Sequence, residues 1–433
     1  MGMRPELAAD LLARPGVVDF VEVVAETCYT QRQTRREAQA MAEIWPVIPH
    51  GVKLSLGSAD GVDLDRARRL GALARELRAP MISEHASFTR AGGYEIGHLT
   101  QLPRTREAVA AVARNVARVR GVLPDVPLVL ENVAWSVLWP GDGELDEASF
   151  YQEIVAHTGC ELLLDVGNLY ANARNEGKDP SEVLAGYPLD RVAMVHVAGG
   201  VVEHGFYYDT HAHPVPDRVF DLVARVRAAR PDVPVMIERD ANFAFPELAG
   251  ELARLRELPR GAPRPARMPA PLAHGEADLA GAQTALAAAL VAPVPADDRA
   301  LAGIDRASIV RARDILHRKR IDDALPLLGR LSRSQTRTRD LAAAVLARHA
   351  RPVQRAGPTD AWRIAEAALG DPELGDDAAI DHLVLRARFA RSASKLVPRR
   401  APFIGFARLG DGARMRATKG FGALAEVMLR RER

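Results

Sequence analysis

Cysteine is nearly absent from this chain. Cys28 and Cys160 are the only two thiols among 433 residues, which excludes a disulfide framework and a metal site built from several thiolates. Long apolar runs are also missing, because no stretch reaches the roughly 18 consecutive apolar residues that a membrane helix needs. The opening segment MGMRPELAADLLARPG carries charges where a signal peptide has its apolar core. We therefore expect a cytoplasmic protein without a membrane partner.

Glycine-rich phosphate turns and nucleic-acid motifs are lacking as well. The segment VEVVAETCYTQRQ around the first apolar run holds no glycine, which argues against a doubly wound open sheet, where a glycine-rich turn follows the first strand. The basic second part of the chain shows no helix-turn-helix pattern and no aromatic stacking motif. We therefore do not expect a nucleic-acid partner.

Charge and proline are distributed unevenly along the chain. Residues 261–433 carry 30 Lys+Arg and 19 Asp+Glu, whereas residues 1–260 carry 28 and 37. Five prolines within residues 259–274 are typical of an extended linker. We predict two domains, 1–258 and 275–433, on either side of that linker. The basic domain would attract the acidic one or an acidic partner, although an arginine-rich solvated helical surface explains the excess equally well.

Short apolar runs alternate with amphipathic segments before the linker. The runs are VDFVEVV (18–24), HGVKLSL (50–56), PMISEH (80–85), VPLVLEN (126–132), ELLLDVG (161–167), RVAMVHVAG (191–199), FYYDTH (206–211) and VPVMIER (233–239). Between two of them, REAVAAVARNVARVR has helical spacing, with Thr105 as its N-cap and Gly121 past its end. Eight apolar strands alternating with helices predict an α/β fold, a (β/α)8 TIM barrel.

The region after the linker has helical periodicity. Apolar residues recur at intervals of three and four in 279–291, 307–332, 337–349, 359–369 and 376–393. The segment IGFARLGDGARMRA (404–417) alternates around a Gly-Asp-Gly turn, which favours a hairpin. We predict a small, mainly helical domain with a terminal hairpin.

Side chains that can bind metals stand at the carboxyl ends of most of the apolar runs, and His50 stands beside one of them. They are His50, Glu84, His85, Glu131, Asn132, Asp165, Asn168, His196, Asp209, His211, His213, Glu238 and Asp240. In a (β/α) barrel these ends open onto one face, and carboxylates gathered there repel one another unless they are protonated or bind cations. Imidazole and carboxylate without sulfur suit iron, manganese or zinc. The joint pattern predicts a metal site, although each residue alone has an ordinary explanation as a core hydrogen-bonding group or a helix cap.

Other histidines are weaker candidates. His98 lies in a loop pattern and His157 in a helix pattern, so both fit structural roles. His204 has glycine beside it and could line the site. His213 is expected to support a metal ligand by hydrogen bonding. Cys28 is expected to be a small side chain packed in the core.

Seven motifs in order resemble the multinuclear non-heme iron-dependent oxidative enzymes. They are HGVKLSLGS, SEHASF, LENV, LLLDVGNLYANA, HVAGG, DTHAHPV and IERD, within residues 1–257. The resemblance implies a TIM barrel, related in shape to xylose isomerase, with two or three irons at the strand ends. The metal ligands that it implies are His50, His85, Glu131, Asp165, Asn168, His196, Asp209, His211 and Glu238. Gly167 and Ala212 stand where many members carry asparagine and aspartate or another polar residue, which bears on the substrate more than on the metal.

Members of that family oxidise cysteine in ribosomally made peptides, using dioxygen and a mixed-valence Fe(II)/Fe(III) centre. The resemblance therefore implies O2 as co-substrate and a Cys-containing precursor peptide, with His50, His85, Glu131, Asp209 and His211 as catalytic residues. Many members need a protein that binds the leader of the precursor, and residues 275–433 could be its fused equivalent. Two alternatives stay open. One is a divalent-metal barrel enzyme without redox change, such as a sugar isomerase or a phosphodiesterase like the barrel endonucleases, and the other is a non-enzymatic metal-binding protein.

Overall fold

The structure is a computed structural model, and it describes residues 1–139, 144–261, 278–293, 301, 303–392, 395–410, 414–419 and 424–429. It divides into two compact units. Unit 1 comprises Met1–Ala91, His98–Gln283 and Ala302–Asp305, and unit 2 comprises Gly92–Gly97, Thr284–Leu301 and Arg306–Arg433. From residue 262 onward the predicted linker lies outside the described residues, so the domain boundaries stay a prediction.

The strands of the described residues follow one another in this order. They are β1 (Val21–Val24), β2 (Val47–His50), β3 (Ile82–His85), β4 (Ser87–Ala91), β5 (Tyr94–Gln101), β6 (Leu128–Glu131), β7 (Glu161–Asp165), β8 (Val192–Val197), β9 (Val201–Glu203), β10 (Phe206–Tyr208), β11 (Val235–Ile237), β12 (Phe389–Ser392), β13 (Lys395–Pro398), β14 (Phe403–Arg408), β15 (Arg414–Lys419) and β16 (Leu424–Leu429).

Helices separate the strands of the parallel sheet and form most of the described chain between residues 278 and 388. They are α1 (Ala8–Ala13), α2 (Ala25–Thr30), α3 (Arg32–Met41), α4 (Leu64–Glu76), α5 (Arg106–Arg120), α6 (Glu147–Thr158), α7 (Val166–Asn175), α8 (Pro180–Ala185), α9 (Asp217–Ala229), α10 (Phe245–Glu257), α11 (Leu279–Val291), α12 (Arg306–Ala324), α13 (Gln335–Leu346), α14 (Ala356–Ala368) and α15 (Gly375–Arg388). Helix α5 begins as predicted, because the Thr105 hydroxyl accepts the Ala108 N–H. None of the described helices is long and apolar enough to cross a membrane.

Unit 1 is built on a curled parallel sheet. Its strand order is β1-β2-β3-β6-β7-β8-β11, with every neighbouring pair parallel. The gap between β11 and β1 is bridged by the first residues, since Gly2 pairs in parallel with Glu22 and its N–H donates to the Ile237 oxygen. This arrangement confirms the predicted (β/α)8 TIM barrel class, with residues 1–3 at the eighth position.

Two of the eight predicted barrel strands are wrong. The run at 50–56 is not a strand beyond its first residue, because β2 spans Val47–His50 and ends there. The run at 206–211 forms β10, which pairs antiparallel with β9 in a separate hairpin. The reason lies in the connection, because a parallel neighbour requires a crossover of about a dozen residues or more. Too few residues separate β8 from β10, so the chain can only fold back on itself.

Unit 2 has the predicted character. Helices α12 to α15 bury a shared apolar core that includes Leu328, Leu346, Ile364 and Leu385. The predicted hairpin is confirmed, because β14 pairs antiparallel with β15 and β16 extends the sheet. Its turn at 411–413 lies outside the described residues.

Candidate metal centre

The barrel interior changes from apolar to polar along each strand. An apolar cluster inside the barrel comprises Ile48, Val129, Leu163, Met194 and Met236, with Phe20 and Met81 packed against it. Side chains two positions apart in a strand share one face. Two positions after these residues stand, in chain order, Glu22, His50, Ser83, Glu131, Asp165, His196 and Glu238. The alternation of each strand therefore points these polar residues into the barrel.

The candidate ligands form overlapping groups whose ligand atoms lie within 4.8 Å of one another. The groups are His50 with His85 and Glu131; Glu131 with Asp165, His196 and Glu238; Asp165 with Asp209 and His211; and His211 with Glu238 and Asp240. Two ligands about 2.1 Å from one ion lie roughly 3.0–3.4 Å apart at common coordination angles. The carboxylate–imidazole distances within the groups run from 2.7 to 3.7 Å, close to that range, so such a pair can share one ion.

Glu131 belongs to two of these groups. Its Oε2 atom lies 3.1 Å from His85 Nε2 and 3.6 Å from His50 Nε2, whereas its Oε1 atom lies 3.4 Å from His196 Nδ1. The two oxygens thus face two different sets of imidazole nitrogens. Such a carboxylate can bridge two neighbouring ions.

Asp165 is held by its neighbours so that one oxygen stays unused. It caps α7, because its Oδ1 atom accepts the Asn168 N–H at 2.7 Å. The side chain of Asn132 continues the sheet by donating to the Asp165 carbonyl and accepting the Asp165 N–H. Asn168 in turn donates its Nδ2 hydrogen to the Asn132 carbonyl, which leaves its Oδ1 atom as the possible ligand.

Asp209 and His211 follow the hairpin β9–β10. Gly199 and Gly200 lead from β8 into this hairpin, and a Cβ at either position would fall 2.1 Å from a backbone oxygen. His211 has a φ of 52°, in the left-handed region, which costs a non-glycine residue about 1–3 kcal/mol. Its Nε2 atom lies 2.7 Å from Asp209 Oδ2. This local strain indicates that the surrounding structure holds the imidazole in place.

Burial shifts the pKa values of these groups, and charged neighbours oppose or reinforce the shift. Burial raises the pKa of Asp165 to about 8, and the Asp209 and Glu131 carboxylates add to the rise. Burial alone would also raise the pKa of Glu131, yet His85 and His196 hold it at about 2. Burial disfavours charged His85, but the Glu131 carboxylate raises its pKa to about 9. The site therefore attracts positive charge, either protons or metal cations.

The oxygen and nitrogen atoms of these groups are arranged more like metal ligands than like a hydrogen-bond network in which every atom has a partner. Within the ligand groups, four buried atoms make no hydrogen bond: Glu131 Oε2, Asp165 Oδ2, His196 Nδ1 and Asp209 Oδ1. A buried polar atom without a partner costs about 1–3 kcal/mol. All four belong to the groups above, so coordination to cations would satisfy them.

Sequence reasoning missed three residues of this site. Glu22, in β1, contacts His196 and Ser83. Arg4 pairs with Asp240, and its Nη2 atom lies 3.8 Å from Glu238 Oε1. A glutamate inside the apolar run VDFVEVV was an available signal for Glu22. Nothing local marks Arg4 or Ser83.

The weaker histidine candidates lie apart from these groups. Among the described residues, His98, His157, His204 and His213 join none of them. His157 pairs with Glu153 on its own helix, and His204 is exposed in the β9–β10 turn. His213 bonds to Thr210 at 2.8 Å, so its predicted support of a ligand stays a prediction. At Gly167, a Cβ would lie 3.1 Å from Asp165 Oδ1 and 3.2 Å from the Ala198 nitrogen, which favours a small residue there.

The fold and these groups define a barrel protein with a candidate multinuclear metal centre. The chain belongs to the RiPP precursor modification enzyme MbnB/TglH/ChrH family, whose model matches residues 1–260. A UPF0276 protein of Streptomyces avermitilis is 41% identical over 265 residues, 59% of this chain and 54% of that protein. A UPF0276 protein of Caulobacter vibrioides is 40% identical over 257 residues, 59% of this chain and 90% of its own length. The match thus spans about half of the first relative.

Solved structures with similar folds are more distant. Endonuclease IV from Thermus thermophilus covers 59% of this chain and 97% of its own, with a TM-score of 0.40 and 18% identity. The 3-keto-D-glucoside 4-epimerase YcjR from E. coli covers 59% of this chain and 95% of its own, with a TM-score of 0.38 and 14% identity.

Proposed function

We propose that this chain is a multinuclear non-heme iron oxidase or oxygenase that modifies cysteine in a ribosomally made peptide, with O2 as co-substrate. The proposal rests on the geometry of Glu131. Its two carboxylate oxygens face two different groups of candidate ligands. Iron accepts such a mixed imidazole and carboxylate set. Membership in a family of precursor modification enzymes supports a peptide as the substrate.

The proposed ligands of two or three irons are the nine residues implied by the resemblance. They are His50, His85, Glu131, Asp165, Asn168, His196, Asp209, His211 and Glu238. When bound, mixed-valence Fe(II)/Fe(III) ions would supply the redox chemistry with O2 and bind the substrate thiolate. The protein's own contribution is to fix the imidazoles and carboxylates, and to leave positions open for substrate.

Access to the site is from one side. The side chains of His50, His85, Glu131 and His196 are 0–5% exposed, whereas those of His211 and Glu238 are 20% and 14% exposed. A peptide thiol can therefore approach beside His211 and Glu238. The buried histidines exclude water from the other side.

The reacting thiol has to come from a substrate. Burial raises the pKa of Cys28 to about 11 and also raises the pKa of Cys160. Both thiols are buried, and neither is among the residues grouped around a possible ion. A buried neutral thiol is a poor ligand and a poor nucleophile.

Residues 275–433 are proposed to bind the substrate peptide, in place of a separate leader-binding protein. Support comes from charge, since residues 261–433 carry the basic excess of the chain. A basic surface attracts acidic peptide segments over long range at low ionic strength.

The test is mass spectrometry of a Cys-containing peptide encoded beside this gene, co-expressed with the protein. We expect a mass change confined to the cysteine and dependent on O2. A Cys→Ser peptide is the matched control. Modification of that control, or modification under strict anaerobiosis, would contradict the oxidation. Metal analysis after anaerobic loading should give two or three irons, and one tightly bound zinc with iron excluded would contradict the cofactor.

A further inference from the structure

Glu22 contacts a proposed histidine ligand on the side away from the shared carboxylate. Its Oε2 atom lies 3.3 Å from His196 Nε2. The other ring nitrogen, Nδ1, lies 3.4 Å from Glu131 Oε1 and 3.5 Å from Glu238 Oε2. The two nitrogens of one imidazole thus face different partners. Nδ1 faces the candidate metal group, and Nε2 faces Glu22.

The same oxygen of Glu22 reaches a second histidine through a serine. Ser83 Oγ lies 3.2 Å from Glu22 Oε2 and 2.9 Å from His50 Nδ1. On the opposite side of that ring, His50 Nε2 lies 3.6 Å from Glu131 Oε2. The direct distance from His50 Nδ1 to Glu22 Oε2 is 4.0 Å, so the serine hydroxyl is the closer link.

The hydrogen bonds that link His196, Glu22, Ser83 and His50 can run in only one direction. A neutral imidazole carries one N–H and one lone pair, and an ionised carboxylate only accepts. His196 Nε2–H therefore donates to Glu22. The Ser83 hydroxyl donates to Glu22 and accepts from His50 Nδ1–H. The lone pairs that remain, on His196 Nδ1 and His50 Nε2, point toward Glu131.

We propose that Glu22 is a positioning residue that sets the tautomers of His196 directly and of His50 through Ser83. One buried carboxylate would thereby orient ligands in two neighbouring metal groups. Histidine ligands generally donate their second N–H to such a partner, and its loss lowers metal affinity about 10- to 100-fold. The inference rests on the proposed metal centre but not on iron, O2 or the peptide substrate.

The geometry distinguishes this role from direct coordination. Glu22 belongs to none of the ligand groups found among the described residues. The imidazole of His196 lies between Glu22 and the oxygens of Glu131 and Glu238, because its two ring nitrogens contact them separately. A ligand role would require Glu22 to face the same space as those oxygens.

The experiment compares Co(II) binding under anaerobic conditions by the 433-residue protein and three variants. Glu22→Gln keeps the size of the side chain but replaces one acceptor oxygen with a donor. Ser83→Ala cuts only the branch to His50. Glu147→Gln is the matched control, since Glu147 is also a buried unit 1 glutamate that accepts hydrogen bonds, from Tyr187 and Asn172. The readouts are Co(II) affinity and the hyperfine-shifted exchangeable imidazole N–H signals in proton NMR.

We expect Glu22→Gln to lower the binding affinity for two Co(II) ions by about 10- to 100-fold. It should also shift the N–H signals of two imidazoles or speed their exchange with solvent. Ser83→Ala should lower the affinity for one ion and change one N–H signal. Glu147→Gln should change neither the affinity nor the signals. If Glu22→Gln matches the control in affinity and signals, the proposal is overturned, and it is equally overturned if Ser83→Ala affects both signals.

Outcomes that concern other claims are separable. A wild-type protein that binds no Co(II) would overturn the proposed metal centre and this inference with it. Normal Co(II) results without peptide oxidation would overturn the proposed reaction alone. If Glu22→Gln does not fold, Ser83→Ala still decides the serine branch, and Glu22→Asp tests the direct one. Because its carboxylate is on a shorter side chain, Glu22→Asp should shift the His196 N–H signal or speed its exchange. A signal unchanged from wild type would count against the direct contact.

Discussion

The two ends of the candidate metal centre differ in exposure and in how they are held. The closed end consists of His50, His85, Glu131 and His196, all on parallel strands and at most 5% exposed. At the open end, Asp209 and His211 come from the segment after a hairpin. His211 is 20% and Asp240 48% exposed, whereas Asp209 is 3% exposed. Rigid strands give precision, whereas loops admit ligands and tolerate strain. We infer that the closed end retains ions and the open end exchanges ligands with solvent.

The largest expected effect comes from the carboxylate shared within the closed end. Glu131→Ala removes contacts to two groups at once, so we expect more than about 100-fold weaker binding of two ions and loss of activity. Glu153→Ala, on α6 and outside the ligand groups, should keep the metal and is the matched control. Metal content after gel filtration measures the difference. Loss of only one ion from Glu131→Ala would contradict the bridging role.

At the open end the loss should be smaller. Asp209→Ala affects the group that it shares with Asp165 and His211, so we expect loss of one ion while the closed end keeps its own. Glu131→Ala, at the carboxylate shared by two groups, is the comparison from the closed end and should lose two ions. Counting irons in both variants by Mössbauer spectroscopy distinguishes two ions from three. Equal depletion in both variants would break the distinction between the ends.

A substitution in unit 2 tests whether metal retention belongs to unit 1 alone. Arg320 is 7% exposed and pairs with Asp360 at 2.6 Å. Removing one partner of such a buried pair costs about 3–5 kcal/mol. Arg320→Met should therefore destabilise unit 2 in denaturant unfolding. Arg337→Met, at an exposed ion pair, is the control and should change little. Iron content should be that of the wild type in both variants, and loss of iron from Arg320→Met would contradict the separation.

Glu147, which lies outside the ligand groups, should contribute a pH effect of its own to stability. Burial raises the pKa of Glu147 to about 7, despite the Tyr187 hydrogen bond that favours its charged form. Between the ordinary carboxyl pKa of about 4.3 and that value, the folded protein holds a proton that the unfolded chain has released. This contribution therefore falls as pH rises through the interval, by up to about 1.4 kcal/mol per pH unit. Glu147→Gln should remove this contribution from the pH dependence of the unfolding free energy measured from pH 5 to 8, and an unchanged slope would refute the assignment.

The smallest effect is expected at His157. It is 30% exposed and pairs with Glu153 on the same helix, an interaction worth about 0.3–0.5 kcal/mol. His157→Ala should shift the free energy of unfolding by no more than that and leave the iron count unchanged. An iron loss comparable to that of His211→Ala would show that the ligand groups are incomplete.

Much of the barrel and of the ligand set follows from local pattern. Apolar runs ending in Glu131, Asp165 or His196 predicted both the strands and the polar face, because strand alternation and carboxyl-end placement act over a few residues. The run at 206–211 has the same pattern and still leaves the barrel sheet. Its composition was right for a strand, but pairing depends on the length of the connection.

The sequence by itself determined which side chains can bind metal and at which strand ends they stand. Only the tertiary structure decided how the ring nitrogens are divided between metal groups and supporting residues. Glu22 and His196 are 174 positions apart, and Arg4 and Asp240 are 236 apart. Those pairs meet because the barrel curls until its first and last strands approach each other. A periodicity of two or four residues carries no information about partners across that closure.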